Sequence, residues 1–285
     1  VMSRVPLTLI GESINDSVPS THALFEANDL AAITGLARSQ SELGADYIDV
    51  NVGPRPADFM AAVVRAVQTV TPKPLSIDSP DYALAAAGLA ACDPACGTPI
   101  LNSISPLRLE MFDLLQSHRF RPILLASENM IDGVESPCRT AEETYDAARL
   151  LLETARSHGL SNDDCIIDPG IAPIGADTEN NIHRLMGALR LIHDDPAFAG
   201  VHMSVGLSNF TVMLPSRRAD GSPVKLPLAN AFLTRAMPLG LDMIIGSAKL
   251  AYGALPEGHP ALQCFDDCLA LSDFDVLMRV QEFYS

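Results

Sequence analysis

The sequence has little positive charge. Its 285 residues include 19 Lys and Arg against 35 Asp and Glu, which gives a formal net charge of −16 at pH 7. A surface of this sign repels nucleic acids and anionic membranes, so we expect neither as a partner. A protein with a complementary basic face could still bind to it.

Long apolar runs and an export signal are also missing. No apolar run reaches the roughly 18 residues that span a bilayer. Residues 1–6 lead straight into the first predicted strand, without the apolar core of a signal peptide. We therefore expect a cytoplasmic protein.

The six cysteines form no C-x-x-C motif, and no nearby histidine or third cysteine completes a zinc set. Cys92 and Cys96, like Cys264 and Cys268, are spaced so that each pair could share one helix face. This pattern favours reduced, mostly buried thiols and no metal.

Predicted strands and helices alternate along the whole chain, and 48% of the residues are hydrophobic, enough for a large core. Eight βα units in a chain of this length are typical of one α/β barrel. We expect strands near residues 7–12, 46–52, 75–79, 98–104, 121–127, 164–168, 202–208 and 242–247. We expect helices near residues 28–43, 57–70, 80–91, 106–118, 140–158, 178–194, 227–239 and 266–282.

An open, doubly wound sheet is the rival architecture. It usually carries a glycine-rich G-x-G-x-x-G turn after the first strand. Here the first strand ends in Gly11-Glu12-Ser13-Ile14-Asn15, which lacks that motif. The sequence therefore predicts a single (β/α)₈ TIM barrel of the α/β class over residues 1–285.

Local signals refine this prediction. Thr140 with Glu143 forms a capping-box pattern at the start of a helix. Ser79 before Pro80 could cap another helix. The long segment 213–226, rich in Pro and Arg, is either a lid over the barrel mouth or a solvated surface loop.

Polar residues close six of the predicted strands. In barrels, the residues at the carboxyl ends of the strands line the active site. The set contains no histidine cluster and no basic patch, so it suits a neutral ligand rich in N–H donors better than a phosphate or a metal. The residues are Glu12, Asp49, Asn51, Asp78, Asn102, Asp168 and Asn209.

These positions predict different contacts. Asp78, Asn102 and Asp168 could hold the amino-pyrimidine edge of a fused heterocycle, because carboxylates accept from N–H groups and an amide both donates and accepts. Asn209 follows Gly206-Leu207-Ser208, small residues that let a flat ligand approach the backbone. Glu12, Asp49 and Asn51 either touch the ligand or form a supporting network. Each residue could instead cap a helix or stabilise a turn.

In this order the motifs resemble the methyltetrahydrofolate:corrinoid protein methyltransferase family of pterin-binding barrels, from about residue 9 to about residue 250. The matching segments are Gly11-Glu12-Ser13-Ile14-Asn15, Asp49-Val50-Asn51-Val52-Gly53-Pro54, Ile77-Asp78-Ser79, Asn102-Ser103, Ile167-Asp168-Pro169, Gly206-Leu207-Ser208-Asn209 and Pro227-Leu228 with Asn230 and Phe232-Leu233.

The resemblance implies a homodimeric barrel that binds tetrahydrofolate or 5-methyltetrahydrofolate as substrate. Asp78, Asn102 and Asp168 would bond the pterin ring, and Gly206 and Ser208 would shape the floor. Asn209, with ordered water and either Asp49 or Asn51, would stabilise the protonated nitrogen that carries the methyl group.

The corrinoid (cobalamin) would be carried by a partner protein, because the sequence has no D-x-H-x-x-G motif to ligate cobalt. The direction of methyl transfer stays open. Two departures from the family concern the outer part of the substrate and the partner contact: Ser13 stands where the family often has Arg, and segment 213–226 is longer than usual.

Two alternative functions remain. Dihydropteroate synthase shares the barrel and several of these positions, but it resembles the sequence less because it needs a Lys and a Ser-x-Arg signature on late strands. The last strand here reads Ile245-Gly246-Ser247-Ala248-Lys249. A Schiff-base aldolase would need a strand-end lysine, for which Lys249 is the candidate.

Overall fold

The structure, a computed structural model, describes residues 7–285, so the expectation for residues 1–6 lies outside it. Its strands are β1 (Thr8–Asn15), β2 (Tyr47–Asn51), β3 (Leu75–Asp78), β4 (Ile100–Ile104), β5 (Arg121–Leu125), β6 (Glu128–Ile131), β7 (Val134–Pro137), β8 (Ile166–Asp168), β9 (His202–Gly206) and β10 (Met243–Gly246). Within this part of the chain, eight of them close a parallel barrel in the order β1-β10-β9-β8-β5-β4-β3-β2. The predicted TIM barrel and its eight strands are confirmed.

Helices lie between the barrel strands. They are α1 (Pro19–Glu26), α2 (Leu30–Glu42), α3 (Ala57–Gln68), α4 (Tyr82–Ala91), α5 (Ala141–Ser157), α6 (Asn181–Asp194), α7 (Leu207–Phe210), α8 (Lys225–Ala236), α9 (Pro260–Ala270) and α10 (Phe274–Tyr284). Among residues 7–285 no helix is long and apolar enough to cross a bilayer.

The period-2 alternation of the strands builds two apolar layers. Inward-facing Ile10, Ile100, Ile123 and Ile166 pack with Met243 and Ile245 inside the barrel. The intervening residues of the same strands face outward and pack under the helices in a larger core. The inner apolar layer fills the lower barrel, so the next inward residues along each strand form the mouth.

Two helix predictions are corrected. The segment predicted as one helix over 266–282 is α9 and α10, which are separated at Asp273, a residue with a positive φ of 50°. Asn180 fixes this break, because its side chain donates to Asp273 Oδ1 at 2.8 Å and accepts from Asp273 N at 2.7 Å. Residues Leu109–Gln116 form a 3-10 helix instead of an α-helix.

Some local elements differ from the sequence predictions. The hairpin of β6 and β7 was not predicted, although Asp132-Gly133 is a two-residue turn with positive φ at both positions. The capping box of Thr140 and Glu143 is confirmed. Ser79 does not cap α4: the Asp81 side chain does, accepting from Leu84 N at 2.9 Å.

The paired cysteines differ in their positions. Cys264 and Cys268 are both buried on α9. Cys92 ends α4, and Cys96 lies in a separate 3-10 turn, so these two do not share a helix face.

Candidate functional site

A cavity of about 580 Å³ lies at the carboxyl ends of the barrel strands. This volume is within the range of small-molecule sites. Most of the predicted site residues meet there: Glu12, Asp78, Asn102, Asp168, Gly206, Ser208 and Asn209 all line it. The barrel thus brings together residues from both ends of the chain, such as Glu12 and Ser208, which are 196 positions apart.

Strand register explains this convergence. Asp78 and Asn102 are direct partners across β3 and β4, and Asp168 is paired with Leu125 across β5 and β8. These residues occupy the same inward-facing parity as the isoleucines of the lower barrel. Two residues beyond the lower-layer isoleucines of β4 and β8, the next inward-facing residues, Asn102 and Asp168, are polar.

Asn51 acts on the cavity through Asp78. Its Nδ2 donates to Asp78 Oδ2 at 3.0 Å, and its Oδ1 accepts from Gly53 N at 2.9 Å. Asn51 itself is not among the lining residues. Asp78 Oδ1 accepts no hydrogen bond from the described residues, so this oxygen is available to a donor in the cavity.

Asp168 is buried on the opposite side of the mouth, with an exposed fraction of 6%. Its Oδ1 accepts from Gly170 N at 2.8 Å and its Oδ2 from Ser204 Oγ at 3.0 Å. These contacts fix the carboxylate while leaving a second lone pair on each oxygen. The turn-stabilising alternative for Asp168 is therefore also present, and it does not exclude a ligand contact.

A buried arginine supports the loop after β8. The Arg184 guanidinium donates to the Pro169 carbonyl at 2.6 Å and the Gly170 carbonyl at 2.9 Å. These bonds hold the turn that orients Asp168, and the positive charge partly offsets the burial of the carboxylate.

Burial raises the pKa of two carboxyls that line the cavity. The pKa of Asp78 rises to about 6 through burial and the nearby Glu12 charge, opposed by Asn51 and Arg108. The pKa of Asp168 also rises to about 6 through burial, opposed by Gly170, Ser204 and Arg184. Carboxylates held in this way gain from a ligand that supplies N–H donors.

Asp49 lies beneath the cavity and does not line it. It is completely buried, and its Oδ1 accepts from Ser76 Oγ at 2.7 Å, whereas its Oδ2 has no hydrogen-bond partner among the described residues. Burial, with Asp78 and Glu12 adding repulsion, raises the pKa of Asp49 well above its usual value. Burial and the neighbouring carboxylates thus both disfavour the charged form of Asp49, and it reaches the cavity only through its neighbours.

Asn209 lies beyond the end of its strand, as predicted, but on a helix: β9 ends at Gly206 and Asn209 belongs to α7. This short helix turns Ser208 and Asn209 over the mouth. Ser208 Oγ donates to Glu12 Oε1 at 3.2 Å, which links the residues after β9 to the end of β1 on the same side of the cavity. A Cβ on Gly206 would lie 3.0 Å from Asn209 Nδ2, so glycine gives the amide room.

Several lining residues were not predicted from the sequence. Ser127 follows the apolar residues of β5, so the strand-end pattern used for the other residues would have found it. Asn15 lines the cavity because β1 is longer than predicted. Gly170 has a positive φ of 75°, and a Cβ there would overlap the Ser127 side chain.

Metal-binding geometry is missing from the described residues. No group of three or more His, Cys, Asp or Glu residues among residues 7–285 could hold a metal ion. In the same part of the chain, no histidine lines the mouth cavity. The polar groups that the described residues present to the cavity are carboxylates, amides and hydroxyls.

Comparisons with known proteins agree with this chemistry. A family described as pterin binding enzyme matches residues 14–246. Over 251 residues, 84% of each protein, the chain is 28% identical to a methylcorrinoid:tetrahydrofolate methyltransferase from Eubacterium limosum.

Solved structures show the same fold. The dihydropteroate synthase of Xanthomonas albilineans with 4-aminobenzoic acid has a TM-score of 0.54 and 19% identity, with 85% of this chain and 86% of that one covered. The dihydropteroate synthase of Coxiella burnetii in complex with pteroic acid has a TM-score of 0.56 and 16% identity, with 98% and 93% covered. At these identities the likeness concerns the barrel alone.

Proposed function

This chain belongs to the pterin-binding enzyme family, and from that premise we propose that it moves a methyl group between N5 of tetrahydrofolate and the cobalt of a corrinoid carried by another protein. The observation that carries the proposal is the mouth cavity, which Asp78, Asn102 and Asp168 line together and which no histidine of the described residues lines.

The ring contacts follow from hydrogen-bond chemistry. The amino-pyrimidine part of a pterin presents several N–H donors beside carbonyl and imine acceptors. Asp78 Oδ1 and the free lone pairs of Asp168 would accept from the donors. The amide of Asn102 would bond an edge of the ring that presents a donor beside an acceptor. Buried charge-assisted bonds of this kind each contribute about 1.5–3 kcal/mol.

Methyl transfer requires control of the charge on N5. When the methyl leaves tetrahydrofolate, the C–N5 bond breaks, its electron pair stays on nitrogen, and cobalt(I) supplies the pair for the new bond. A proton or strong hydrogen bond on N5 makes the departing amine neutral. In the reverse direction the N5 lone pair attacks the methyl, the cobalt–carbon bond breaks with its electron pair left on cobalt(I), and N5 releases a proton.

Asn209 would make the hydrogen bond to N5, because its amide is exposed at the open side of the cavity. Ordered water and Asp78, whose charge acts on Asp49, would relay the proton between N5 and the buried carboxyl of Asp49. A hydrogen bond from Asn209 that strengthens as charge develops at N5 stabilises the transition state more than it stabilises the bound substrate. The name of the Eubacterium relative gives the direction from methylcorrinoid to tetrahydrofolate.

The corrinoid partner would approach above the mouth. Apolar side chains are exposed at this rim: Val18 at 41%, Val212 at 58% and Met213 at 63%. Val18 and Val212 also line the cavity, so a partner that covers them would exclude water from the reacting atoms. We further propose that the protein acts as a homodimer.

Incubation with methylcobalamin and tetrahydrofolate tests the proposal, with the loss of the methylcobalt absorbance and the formation of 5-methyltetrahydrofolate as readouts. We expect Asn209→Ala to lower kcat by about 10²-fold, the usual cost of one transition-state donor, with a much smaller change in folate Kd. Equal losses in both would assign Asn209 to ring recognition.

The same preparation should be assayed with a dihydropterin pyrophosphate and 4-aminobenzoate. We expect no condensation. Formation of dihydropteroate without methyl transfer would refute the proposal and favour the synthase alternative.

A further inference from the structure

A second cavity opens beside the mouth, on the side of β1, β9 and β10. It has a volume of about 300 Å³ and shares Glu12, Ser208 and Val212 with the mouth cavity. Lys225 lines it, and no other basic residue of the described chain does. The side cavity therefore adjoins the mouth along these three shared residues, two of which, Ser208 and Glu12, are hydrogen-bonded to each other.

Lys225 is a cation without a partner among residues 7–285. The sequence has three lysines in a chain of net charge −16. Lys225 is half-buried, and within the described range its side chain makes neither a salt bridge nor a hydrogen bond. By contrast, Arg55 and Arg235 are each bonded to two carboxylates. A half-buried ammonium in this position would gain from an anion supplied by a ligand.

A cavity of about 450 Å³ on the other side of the mouth, under the β6–β7 hairpin, has the opposite character. It contains Glu128 and Glu135, and Arg184 is the one basic residue of the described chain that lines it. The Arg184 guanidinium already donates to backbone carbonyls and to Thr144 Oγ1. An anionic group would be repelled there, so charge distinguishes the two side cavities.

We propose that the side cavity binds the p-aminobenzoyl-glutamate tail of the folate and that Lys225 pairs with a tail carboxylate. This inference rests on the proposed function, because it assumes a folate in the mouth. Leu250 and Ala229 offer apolar walls for the benzoyl ring. Glu12 lies at the opening shared with the mouth, so the carboxylate belongs at the Lys225 end, where the cation offsets its charge.

Binding of two ligands to matched variants tests the inference. The ligands are 5-methyltetrahydrofolate and 5,6-dimethyltetrahydropterin, which keeps the ring and lacks the tail. For Lys225→Met we expect the folate Kd to rise about tenfold, a loss of about 1.4 kcal/mol, with the tail-free pterin Kd unchanged. Lys225→Arg should restore most of the folate affinity.

Lys73→Met is the control for net charge, because Lys73 precedes β3 at the other end of the barrel, and it should change neither Kd. Folate affinity that is the same in Lys225→Met and wild type would overturn the tail assignment. If Glu135→Gln binds folate more tightly and the folate Kd of Lys225→Met equals that of the wild type, the tail lies under the hairpin. Failure of the wild type to bind the tail-free pterin would instead refute the proposed function.

Discussion

Replacing Asp168 by Asn should stabilise the protein above pH 6 and weaken its binding of a pterin. Asp168 is buried at 6% exposure, and its two protein contacts come from Gly170 N and Ser204 Oγ. Asn is isosteric and can keep the bond from Gly170, and the Ser204 hydroxyl can rotate to accept. The substitution therefore removes a buried charge with little change in packing.

The size of the stability gain follows from the pKa. The pKa of Asp168 rises from 3.8 to about 6 on folding. Between these two values the folded protein holds a proton that the unfolded chain has lost, so the free energy of unfolding falls as the pH rises from about 4 to about 6. At about 1.4 kcal/mol per pKa unit, the free energy of unfolding of the wild type falls by roughly 3 kcal/mol over this pH range. The Asp168→Asn variant has no such loss.

Ligand affinity should change in the opposite direction. An Asn amide places donors where the pterin also presents donors, and it lacks the charge of the carboxylate. Loss of one charge-assisted bond of about 1.5–3 kcal/mol corresponds to a Kd that rises roughly 10- to 150-fold. In the wild type, binding should strengthen as the pH rises through about 6, because the ionised carboxylate is the better acceptor.

Urea unfolding at pH 5 and pH 8 measures the first effect, and titration with 5-methyltetrahydrofolate measures the second. We expect the free energy of unfolding of Asp168→Asn to exceed that of the wild type by about 1–3 kcal/mol at pH 8 and by less at pH 5. Asp177→Asn is the control: Asp177 is also buried but accepts from Asn181 N and Ile182 N at the start of α6.

The free energy of unfolding of Asp177→Asn should fall by about 1–2 kcal/mol, because the substitution weakens a helix cap. Its folate affinity should stay the same. An Asp168→Asn protein no more stable than the wild type at pH 8 would refute the burial argument. An unchanged Kd would remove Asp168 from the pterin site.

Two further substitutions test the supports of the site. Gly170→Ala should destabilise the protein by about 1–3 kcal/mol and weaken pterin binding, because the residue has a φ of 75° and the new Cβ would overlap Ser127. Gly133→Ala, with a φ of 78° and open space around it, should cost less stability and leave binding unchanged, and similar losses in both would contradict the role of Ser127. Asp49→Asn should preserve folding and folate Kd, because burial raises the pKa of Asp49 well above its usual value and a neutral amide of the same shape avoids the buried charge. If Asp49 belongs to a proton route, the kcat of the Asp49→Asn variant should be lower than that of the wild type. A kcat equal to the wild-type value from acid to alkaline pH would exclude that route.

Much of the fold follows from local pattern. Alternating βα periodicity identified the eight barrel strands, and the polar residue after each apolar run identified a central part of the cavity lining, including Asp78 and Asn102. Both signals depend on a few adjacent residues, so a sequence read by itself contains them. The same reasoning failed at the break between α9 and α10, where a contact from Asn180 stabilises a left-handed residue.

The sequence by itself therefore determined the barrel and the acceptor character of its mouth, because strand parity places every second side chain inward whatever its distant neighbours are. Only the tertiary structure separated residues of similar appearance. It placed Asp49 beneath the cavity, turned Asn51 onto Asp78 and moved Asn209 onto a short helix. It also placed Lys225 in a side cavity, with no partner among residues 7–285. Burial and pairing depend on strand register and loop paths across the whole chain, and no local pattern specifies them.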